Sequence, residues 1–141
     1  MVHDLGGKPV QVSEGGCLCA AIRFRVSGEP ECSVVCHCVT CRRANAAASV
    51  AWLTFGRAQF QILSGHPRTY KSSQGVVRQF CGICGSQLFY ETSSSQASID
   101  VTTASMDKPS LFPPTAEVWL EHRMSWQSAD QLRTHYPRGM R

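Results

Sequence analysis

Residues 80–90 of the chain read FCGICGSQLFY, and this segment contains a Cys-X-X-Cys pair, Cys81 and Cys84. In such a turn both sulfurs can reach one metal ion while backbone N–H groups point back at them. Gly82 and Gly85 supply the backbone freedom that the turn requires. A structural zinc site needs four ligands in a closed tetrahedron, so this pair requires two more from elsewhere in the chain.

A second cysteine pair lies near the N-terminus, in the segment GGCLCAAIRF at residues 15–24. Cys17 and Cys19 follow a glycine pair, and their spacing allows both sulfurs to turn inward. Together with Cys81 and Cys84 they can close one four-thiolate site that ties the N-terminal strand to the middle of the chain. A structural site of this kind contributes on the order of 10 kcal/mol or more of apparent binding free energy to folding.

A third group of cysteines lies in VVCHCVTCRR, residues 34–43. Cys36, Cys38 and Cys41 offer three ligands, and three protein ligands with an open fourth position are typical of a catalytic zinc. Other assignments stay open at this point. Cys32 can close the site as a fourth ligand, which would make both zincs structural. His37 can offer a ring nitrogen, although between two ligating cysteines we expect it to point away. Disulfides are a further alternative for this cluster, and iron is one for the four-thiolate site.

Length and composition place the chain among ordinary folded domains. Its 141 residues predict a single zinc-binding domain over 1–141. Charged residues make up 17% of the chain, below the usual value of about 25%, which argues against a disordered tail. The net charge of +4 is modest and the basic residues are spread along the chain. This is weak support for an anionic ligand and poor support for nucleic-acid binding.

The first ten residues, MVHDLGGKPV, contain no apolar stretch of signal-peptide length. No apolar run in the chain approaches the roughly 20 residues that cross a bilayer. We therefore expect a cytoplasmic protein without a membrane partner. The eight cysteines of a protein in a reducing compartment indicate metal binding or catalysis rather than a disulfide framework.

Alternation of apolar and polar residues predicts a mainly-β fold of short strands separated by Gly, Pro and Ser. The clearest case is the predicted strand at 21–26, which a turn at 27–30 ends. Further predicted strands lie at 50–55, 59–63, 68–72, 76–80, 87–91, 99–103 and 116–120. Little helix is predicted: one or two turns at 41–47 and another turn at 129–134.

Four motifs follow one another along the chain: GGCLCAAIRF, CHCVTCRRA, YKSSQGVVRQFCGICGSQLFY and DVTTASMDKPSLFPPTAEVW. In this order they resemble the glutathione-dependent formaldehyde-activating enzyme family, which includes centromere protein V. The resemblance runs from about residue 15 to residue 126, and its three cysteine groups together are far more specific than any one alone. It implies a β-tent-like fold, built from short antiparallel sheets around zinc.

The resemblance also implies two zinc ions per chain. It places a structural zinc on Cys17, Cys19, Cys81 and Cys84 and a catalytic zinc on Cys36, Cys38 and Cys41. This partition agrees with the one that ligand counting favours, and all seven positions are filled here. Cys32 lies outside the family pattern, which favours a buried small hydrophobe or a spare thiol over a ligand.

The activity that the resemblance implies is that of a carbon–sulfur lyase similar to S-(hydroxymethyl)glutathione synthase. Zinc with three thiolates carries a net negative charge, yet it can take a fourth thiolate and lower the pKa of that thiol. A glutathione-like thiol held there would add to formaldehyde as a nucleophile. The reverse reaction would cleave the carbon–sulfur bond. The implied partner is therefore a small-molecule thiol rather than nucleic acid.

Three residues near the third cysteine group are candidates for substrate binding. Arg42 and Arg43 follow Cys41 directly, and they can balance negative charge and bind substrate carboxylates by paired hydrogen bonds. The alternative for both is a solvated turn with surface arginines. Trp52 can line the pocket, although a strand tryptophan is more often a core residue. Arg78 is expected to pair locally, and no residue stands out as a general acid or base.

Two other functions stay open. A lyase of the same family can act on a different small molecule, because a resemblance of fold does not fix the substrate. Alternatively, the chain is a zinc-stabilised β binding module for a protein partner, which would use the exposed edges of its short strands. The open three-cysteine site and the lack of a basic patch argue against a binding module. The sequence does not predict an oligomeric state.

Overall fold

The computed structural model describes residues 10–140. The strands of this range are β1 (Val12–Gly16), β2 (Arg23–Ser27), β3 (Cys32–Cys36), β4 (Val50–Gly56), β5 (Phe60–Ser64), β6 (Arg68–Ser73), β7 (Val76–Phe80), β8 (Gln87–Thr92), β9 (Ser98–Thr102), β10 (Ala116–Val118) and β11 (Thr134–His135). An α-helix, α1 (Val39–Asn45), follows β3, and short 3₁₀ turns lie at Arg57–Gln59, Thr103–Ser105, Pro109–Leu111 and Leu120–His122. Within residues 10–140 no helix has the length and apolar character that crossing a membrane requires.

The strands of the described range form two sheets. The smaller sheet has three antiparallel strands in the order β1-β2-β5, and the larger has eight in the order β11-β10-β3-β4-β9-β8-β7-β6. Most neighbours in the larger sheet pair antiparallel, but β10 runs parallel to both β3 and β11. The mainly-β class with antiparallel sheets is therefore confirmed, and the parallel pairing of β10 is a feature that the sequence did not predict. A parallel pair needs a long crossover, and the chain between β3 and β10 supplies one.

All the predicted strands are present, each within two residues of its predicted bounds. Three strands were not predicted: β1, β3 and β11. β1 (VSEGG) and β11 (TH) have few of the β-branched and aromatic residues that mark strands. β3 (CSVVC) buries neighbouring residues on both faces and so shows no alternation.

The two helical predictions had different outcomes. α1 is present but begins at Val39, two residues before the predicted turn at 41–47. The predicted helical turn at 129–134 is wrong. The chain makes a turn at 131–132 and then pairs as β11 with the free side of β10. Pairing with a sheet overrides the weak helical preference of this segment.

The main apolar core lies between the small sheet and one face of the large sheet. Phe24 from β2 meets Phe89 from β8 with ring centroids 5.2 Å apart, edge to face. Leu53 and Phe55 from β4 are fully buried in the same cluster. Rings in this arrangement contribute packing energy beyond their buried area, so this core fixes the position of one sheet on the other.

Alternation along the central strands sends a second set of side chains to the opposite face of the large sheet. Trp52 on β4, Tyr90 on β8 and Asp100 on β9 belong to this set, and all three line one cavity beside the third cysteine group. Candidate chemistry therefore lies on the face of the large sheet that the main core does not use.

Candidate metal centres

Two turns bring four cysteines together where the small and large sheets meet. Cys17 and Cys19 lie between β1 and β2, and Cys81 and Cys84 lie between β7 and β8. Their Sγ atoms all lie within 4.8 Å of one another. The Sγ of Cys19 is 3.6 Å from that of Cys17 and 3.8 Å from that of Cys81. These are the four residues that the sequence assigns to a structural site, and we call them the four-cysteine cluster.

Both turns aim backbone amides at sulfur. The N–H of Ile22 donates to the Sγ of Cys17 at 3.2 Å, and the N–H of Ile83 donates to the Sγ of Cys81 at 3.4 Å. The second turn depends on Gly85, which has a φ of +81° in the left-handed region that favours glycine. Amide donors of this kind orient the sulfur that they contact, so each turn positions one of its two sulfurs towards the cluster.

The donor set and the geometry of the four-cysteine cluster fit a tetrahedral metal ion. The eight cysteines of the chain, all within the described range, are free thiols. With Zn–S bonds of about 2.3 Å, neighbouring sulfurs of a tetrahedral site are about 3.8 Å apart, close to the observed separations of 3.6 and 3.8 Å. Hydrogen bonds from the side chain and backbone of Ser86 lower the pKa of Cys84 to about 5. That shift favours the thiolate that a metal ligand must be.

The second cluster forms where β3 meets α1. Cys36 is the last residue of β3, Cys38 is the N-cap of α1, and Cys41 lies in its first turn. The three Sγ atoms lie within 4.8 Å of one another, and in residues 10–140 no histidine or carboxylate joins them. Cys32 lies apart, where its thiol donates to the Oγ1 of Thr54 at 3.1 Å. We call the three residues the three-cysteine cluster, and it offers three ligands rather than four.

Crowding prevents the thiols of the three-cysteine cluster from ionising together. Hydrogen bonds with Cys36 and then Cys41 lower the pKa of Cys38. The hydrogen bond with Cys38, followed by that with Cys41 and by burial, raises the pKa of Cys36 far above its ordinary value. Negative charges on three sulfurs this close together repel one another. A divalent cation removes that restriction, so this donor set also fits a metal ion.

His37 lies between two of these ligands but faces the other side of the loop. It is fully buried, and its Nε2 lies 2.7 Å from the Oε1 of Glu117 on β10. Glu117 is 1% exposed, and its second oxygen accepts a hydrogen bond from Arg133. The expectation that His37 points away from the metal ligands is confirmed. The buried contact fastens the loop that carries Cys36 and Cys38 to the adjacent strand.

We expect Glu117→Gln to lower the free energy of unfolding by about 2–3 kcal/mol, because it weakens buried hydrogen bonds that involve charged groups. Urea unfolding measures the effect. The matched control is Glu121→Gln, which removes a half-exposed partner of Arg138 and is expected to cost less than about 1 kcal/mol. Equal losses in the two variants would contradict a special structural role for Glu117.

The three-cysteine cluster borders a cavity of about 180 Å³. Trp52 lines this cavity and packs against Tyr90, with ring centroids 5.9 Å apart. Trp52 is also buried. Its position therefore fits both interpretations of this residue, as part of the cavity wall and as a core residue. Asp100 lines the same cavity, and nothing in its local sequence marked it as a candidate.

Arg78 is a second residue whose place in the site the sequence interpretation did not predict. It is 4% exposed on β7, and the expected local pairing is present, since its Nε donates to the Oγ of Ser72 at 3.1 Å. Its NH2 group lies 3.6 Å from the Sγ of Cys41 and 3.2 Å from the Oγ1 of Thr40, and its guanidinium carbon lies 4.9 Å from the ring centre of Tyr90. A buried cation beside the sulfurs offsets the negative charge that three thiolates would bring. The signal was an arginine in the middle of a short predicted strand, VVRQF.

A basic groove of about 740 Å³ adjoins this cavity and shares Thr40 and Arg78 with it. Arg43 and Arg68 also line the groove. Arg68 lies across the turn that carries Cys81 and Cys84, since a Cβ atom added to Gly82 would be 2.4 Å from the Cδ of Arg68. Arg42 lines neither space, and its substrate-binding role stays a prediction.

The arginines of the groove differ from five other arginines of the described range. Within residues 10–140, Arg43, Arg68 and Arg78 form no ion pair with a carboxylate. Other arginines pair with acidic partners: Arg23 with Asp107, Arg25 with Glu14, Arg57 with Glu91, Arg133 with Glu117 and Arg138 with Glu121. Positive charge is therefore left unbalanced beside the three-cysteine cluster.

Fold and site together define a mainly-β protein with two cysteine clusters that can hold metal ions. A match to the profile of the glutathione-dependent formaldehyde-activating enzyme family covers residues 12–122. That span is more than half of the chain, and the chain belongs to this family. The family that the motifs suggested is thus confirmed.

The chain resembles a curated lyase and a protein of known structure. An uncharacterized lyase of Schizosaccharomyces pombe is 36% identical over 80 residues, which are 55% of this chain and 56% of the yeast protein. The match therefore spans just over half of that relative. A Rhodobacter sphaeroides protein of known crystal structure shares 16% identity and a TM-score of 0.53, with 87% of this chain and 98% of that chain covered. At this identity the likeness supports the fold alone.

Proposed function

We propose that the protein is a zinc-dependent carbon–sulfur lyase that forms or cleaves the S-hydroxymethyl adduct of formaldehyde and a glutathione-type thiol. The observation that carries the proposal is the three-cysteine cluster, which has one ligand fewer than a closed site and borders a cavity of about 180 Å³. Membership of the formaldehyde-activating family and the likeness to a yeast lyase support it. The reducing cytoplasm, where thiols stay free, suits this chemistry.

The two clusters have different roles in this proposal. The four-cysteine cluster holds a structural zinc, because four thiolates close a tetrahedron and leave no room for a substrate. Cys36, Cys38 and Cys41 hold the second zinc, which would supply the positive charge that keeps a substrate thiol deprotonated at neutral pH. Trp52 and Tyr90 line the cavity and exclude water from it. The positive charge of Arg78 lowers the free-energy cost of bringing negatively charged sulfurs together there.

Substrate recognition falls to the basic groove. Arg43 and Arg68 line it without carboxylate partners of their own, and arginine binds carboxylates with paired, charge-assisted hydrogen bonds. A thiol that enters the cavity can extend its carboxylates into the groove, since the two spaces share Thr40 and Arg78. The groove therefore favours a thiol that carries carboxylates over a neutral one.

The activity is tested by NMR exchange spectroscopy on formaldehyde and glutathione with zinc-loaded protein. Exchange between free and hydroxymethylated glutathione should be faster than the uncatalysed background, which is measured under the same conditions. Acceleration with another thiol but not with glutathione would assign a different small-molecule substrate to the same chemistry. No acceleration with any thiol would reject the lyase and favour the alternative, a zinc-stabilised binding module.

We expect Arg68→Gln to raise the KM for glutathione about tenfold, because it removes a charge-assisted hydrogen bond worth about 1.5 kcal/mol or more. The matched control is Arg25→Gln on the small sheet, whose partner is Glu14; its KM should equal that of the wild type. With wild-type protein, esterifying the carboxylates of glutathione should raise KM by the same factor of about ten. With Arg68→Gln, the ester should have nearly the same KM as free glutathione. If the free-energy effects of esterification and of Arg68→Gln on KM were additive, Arg68 would not contact a carboxylate.

A further inference from the structure

Cross-strand register assembles a row of polar side chains on the site face of the large sheet. Cys32 pairs with Thr54, Thr54 with Asp100, Asp100 with Tyr90, and Tyr90 with Arg78. These residues come from β3, β4, β9, β8 and β7 in that order. Residues in register across neighbouring strands point to the same face, so the row brings together groups that lie far apart in the sequence.

Hydrogen bonds order one half of this row. The thiol of Cys32 donates to the Oγ1 of Thr54 at 3.1 Å, and the Oγ1 of Thr54 donates to the Oδ1 of Asp100 at 2.6 Å. The other oxygen of Asp100, Oδ2, takes part in no side-chain hydrogen bond within residues 10–140. Thr54 therefore fixes the orientation of the carboxyl group and leaves its second oxygen available.

Asp100 lines the cavity that Cys36, Cys38 and Cys41 also line. It lines a neighbouring groove of about 370 Å³ as well, together with Thr54 and Tyr90. A small molecule whose sulfur lies at the three-cysteine cluster thus shares a single confined space with this carboxyl group. Of the acidic residues in the described range, Asp100 alone lines that cavity.

We propose that Asp100 is the general acid and base of the lyase, acting at the hydroxymethyl oxygen of the substrate. This inference rests on the proposed function. In the condensation, the thiolate sulfur forms a bond to the carbon of formaldehyde, the π electrons of the C=O bond move to oxygen, and that oxygen takes the proton of the Asp100 carboxyl. In the cleavage, the Asp100 carboxylate takes the hydroxyl proton, the C=O bond re-forms, and the C–S electron pair returns to sulfur. Solvent restores the protonation state of Asp100 between turnovers.

The surroundings of Asp100 suit a carboxyl group that exchanges protons. Burial raises its pKa, the hydrogen bond from Thr54 offsets part of that rise, and the nearby charge of Glu31 adds to it. Tyr90 faces it from β8, with Arg78 beyond on β7, and Cys32 lies on the other side of Thr54. A raised pKa keeps more of the group protonated towards neutral pH, where a general acid works best.

Tyr90 is a weaker candidate for the same task. Burial raises the pKa of its phenol further above the ordinary value of about 10. The hydroxyl group therefore cannot release and recover a proton readily at neutral pH. Glu31 is exposed and lines the neighbouring groove of about 370 Å³, but it does not line the cavity beside the three-cysteine cluster. It is therefore a suitable control.

The test compares Asp100→Asn with Glu31→Gln in the zinc-loaded full chain. Asparagine keeps the shape of Asp100 and can still accept the hydrogen bond of Thr54, but it cannot transfer the proton. We expect exchange NMR to show a fall in kcat of about 10²- to 10⁴-fold for Asp100→Asn. The fall for Glu31→Gln should be less than about tenfold, because this variant keeps the Asp100 carboxyl and removes only a nearby charge that raises its pKa. Glutathione affinity, measured by calorimetry, should stay within a factor of about three because binding makes no use of the proton. Melting temperatures should match those of the wild type.

The pH profile separates this role from a structural one. For the condensation, wild-type kcat should fall as the pH rises through the pKa of Asp100, because the protonated acid is lost. The pH profile of Asp100→Asn should lack this fall. Unchanged kcat in Asp100→Asn, or the same fall in both proteins, would overturn the assignment while the lyase activity stands. A loss of glutathione affinity equal to the loss of rate would assign Asp100 to binding instead. If the wild type accelerates no exchange, the lyase and its acid are rejected together.

Discussion

Cys81→Ser is expected to abolish the folded state. Cys81 is 1% exposed and belongs to the four-cysteine cluster, which joins the β1–β2 turn of the small sheet to the β7–β8 turn of the large one. Structural zinc contributes about 10–16 kcal/mol of apparent binding free energy at pH 7, which equals or exceeds the total stability of about 5–15 kcal/mol of an ordinary domain. Serine replaces a thiolate with a hydroxyl that zinc does not favour, and it leaves the other three sulfurs without a complete site.

Circular dichroism with thermal melting, together with zinc analysis by mass spectrometry, measures this result. The matched control is Cys32→Ser, since Cys32 is a thiol outside both clusters and its replacement should leave two zincs and a cooperative transition. A chelator should unfold the wild type in the same way as the Cys81 substitution does. Cooperative melting of Cys81→Ser within a few degrees of the wild type would contradict a structural role for the four-cysteine cluster.

Spacing along the chain was sufficient to predict which cysteines lie together. Cys81 and Cys84 lie within one turn, as do Cys17 and Cys19, and each pair can be recognised from local sequence because the turn itself brings its sulfurs together. The two cysteine pairs could be assigned to one site because a closed structural zinc site requires four ligands. Residue type similarly predicted β7 (Val76–Phe80) in both bounds, because three of its five residues are β-branched or aromatic.

Register across strands was the information that the sequence did not provide. Arg78 and Asp100 reach the site because β7, β8, β9 and β4 pair in one particular alignment. A shift of one residue would turn either side chain to the opposite face of the sheet. The same holds for Glu117, whose contact with His37 depends on the parallel pairing of β10 with β3. Such contacts join residues far apart in sequence, and local patterns carry no trace of them.

Cys38→Ser is expected to abolish the lyase activity and to remove one of the two zincs. Mutating a residue that hydrogen-bonds to a metal ligand lowers metal affinity or activity by about 10- to 100-fold. We therefore expect the loss of the ligand itself to lower both by more than about 100-fold. The serine hydroxyl does not ionise near neutral pH and cannot replace the thiolate. Exchange NMR on formaldehyde and glutathione measures the activity, and native mass spectrometry measures the zinc content.

The fold should survive this substitution because Cys38 is the N-cap of α1, where its sulfur accepts a hydrogen bond from the N–H of Cys41 at 3.3 Å. Serine is among the best N-cap residues and can accept the same bond through its hydroxyl oxygen. The contact of His37 with Glu117 also holds the loop without using the sulfur. Cys38→Ser should therefore melt cooperatively with one zinc bound, in contrast to Cys81→Ser. Unfolding of both variants to the same extent would contradict the division into a structural and a catalytic cluster.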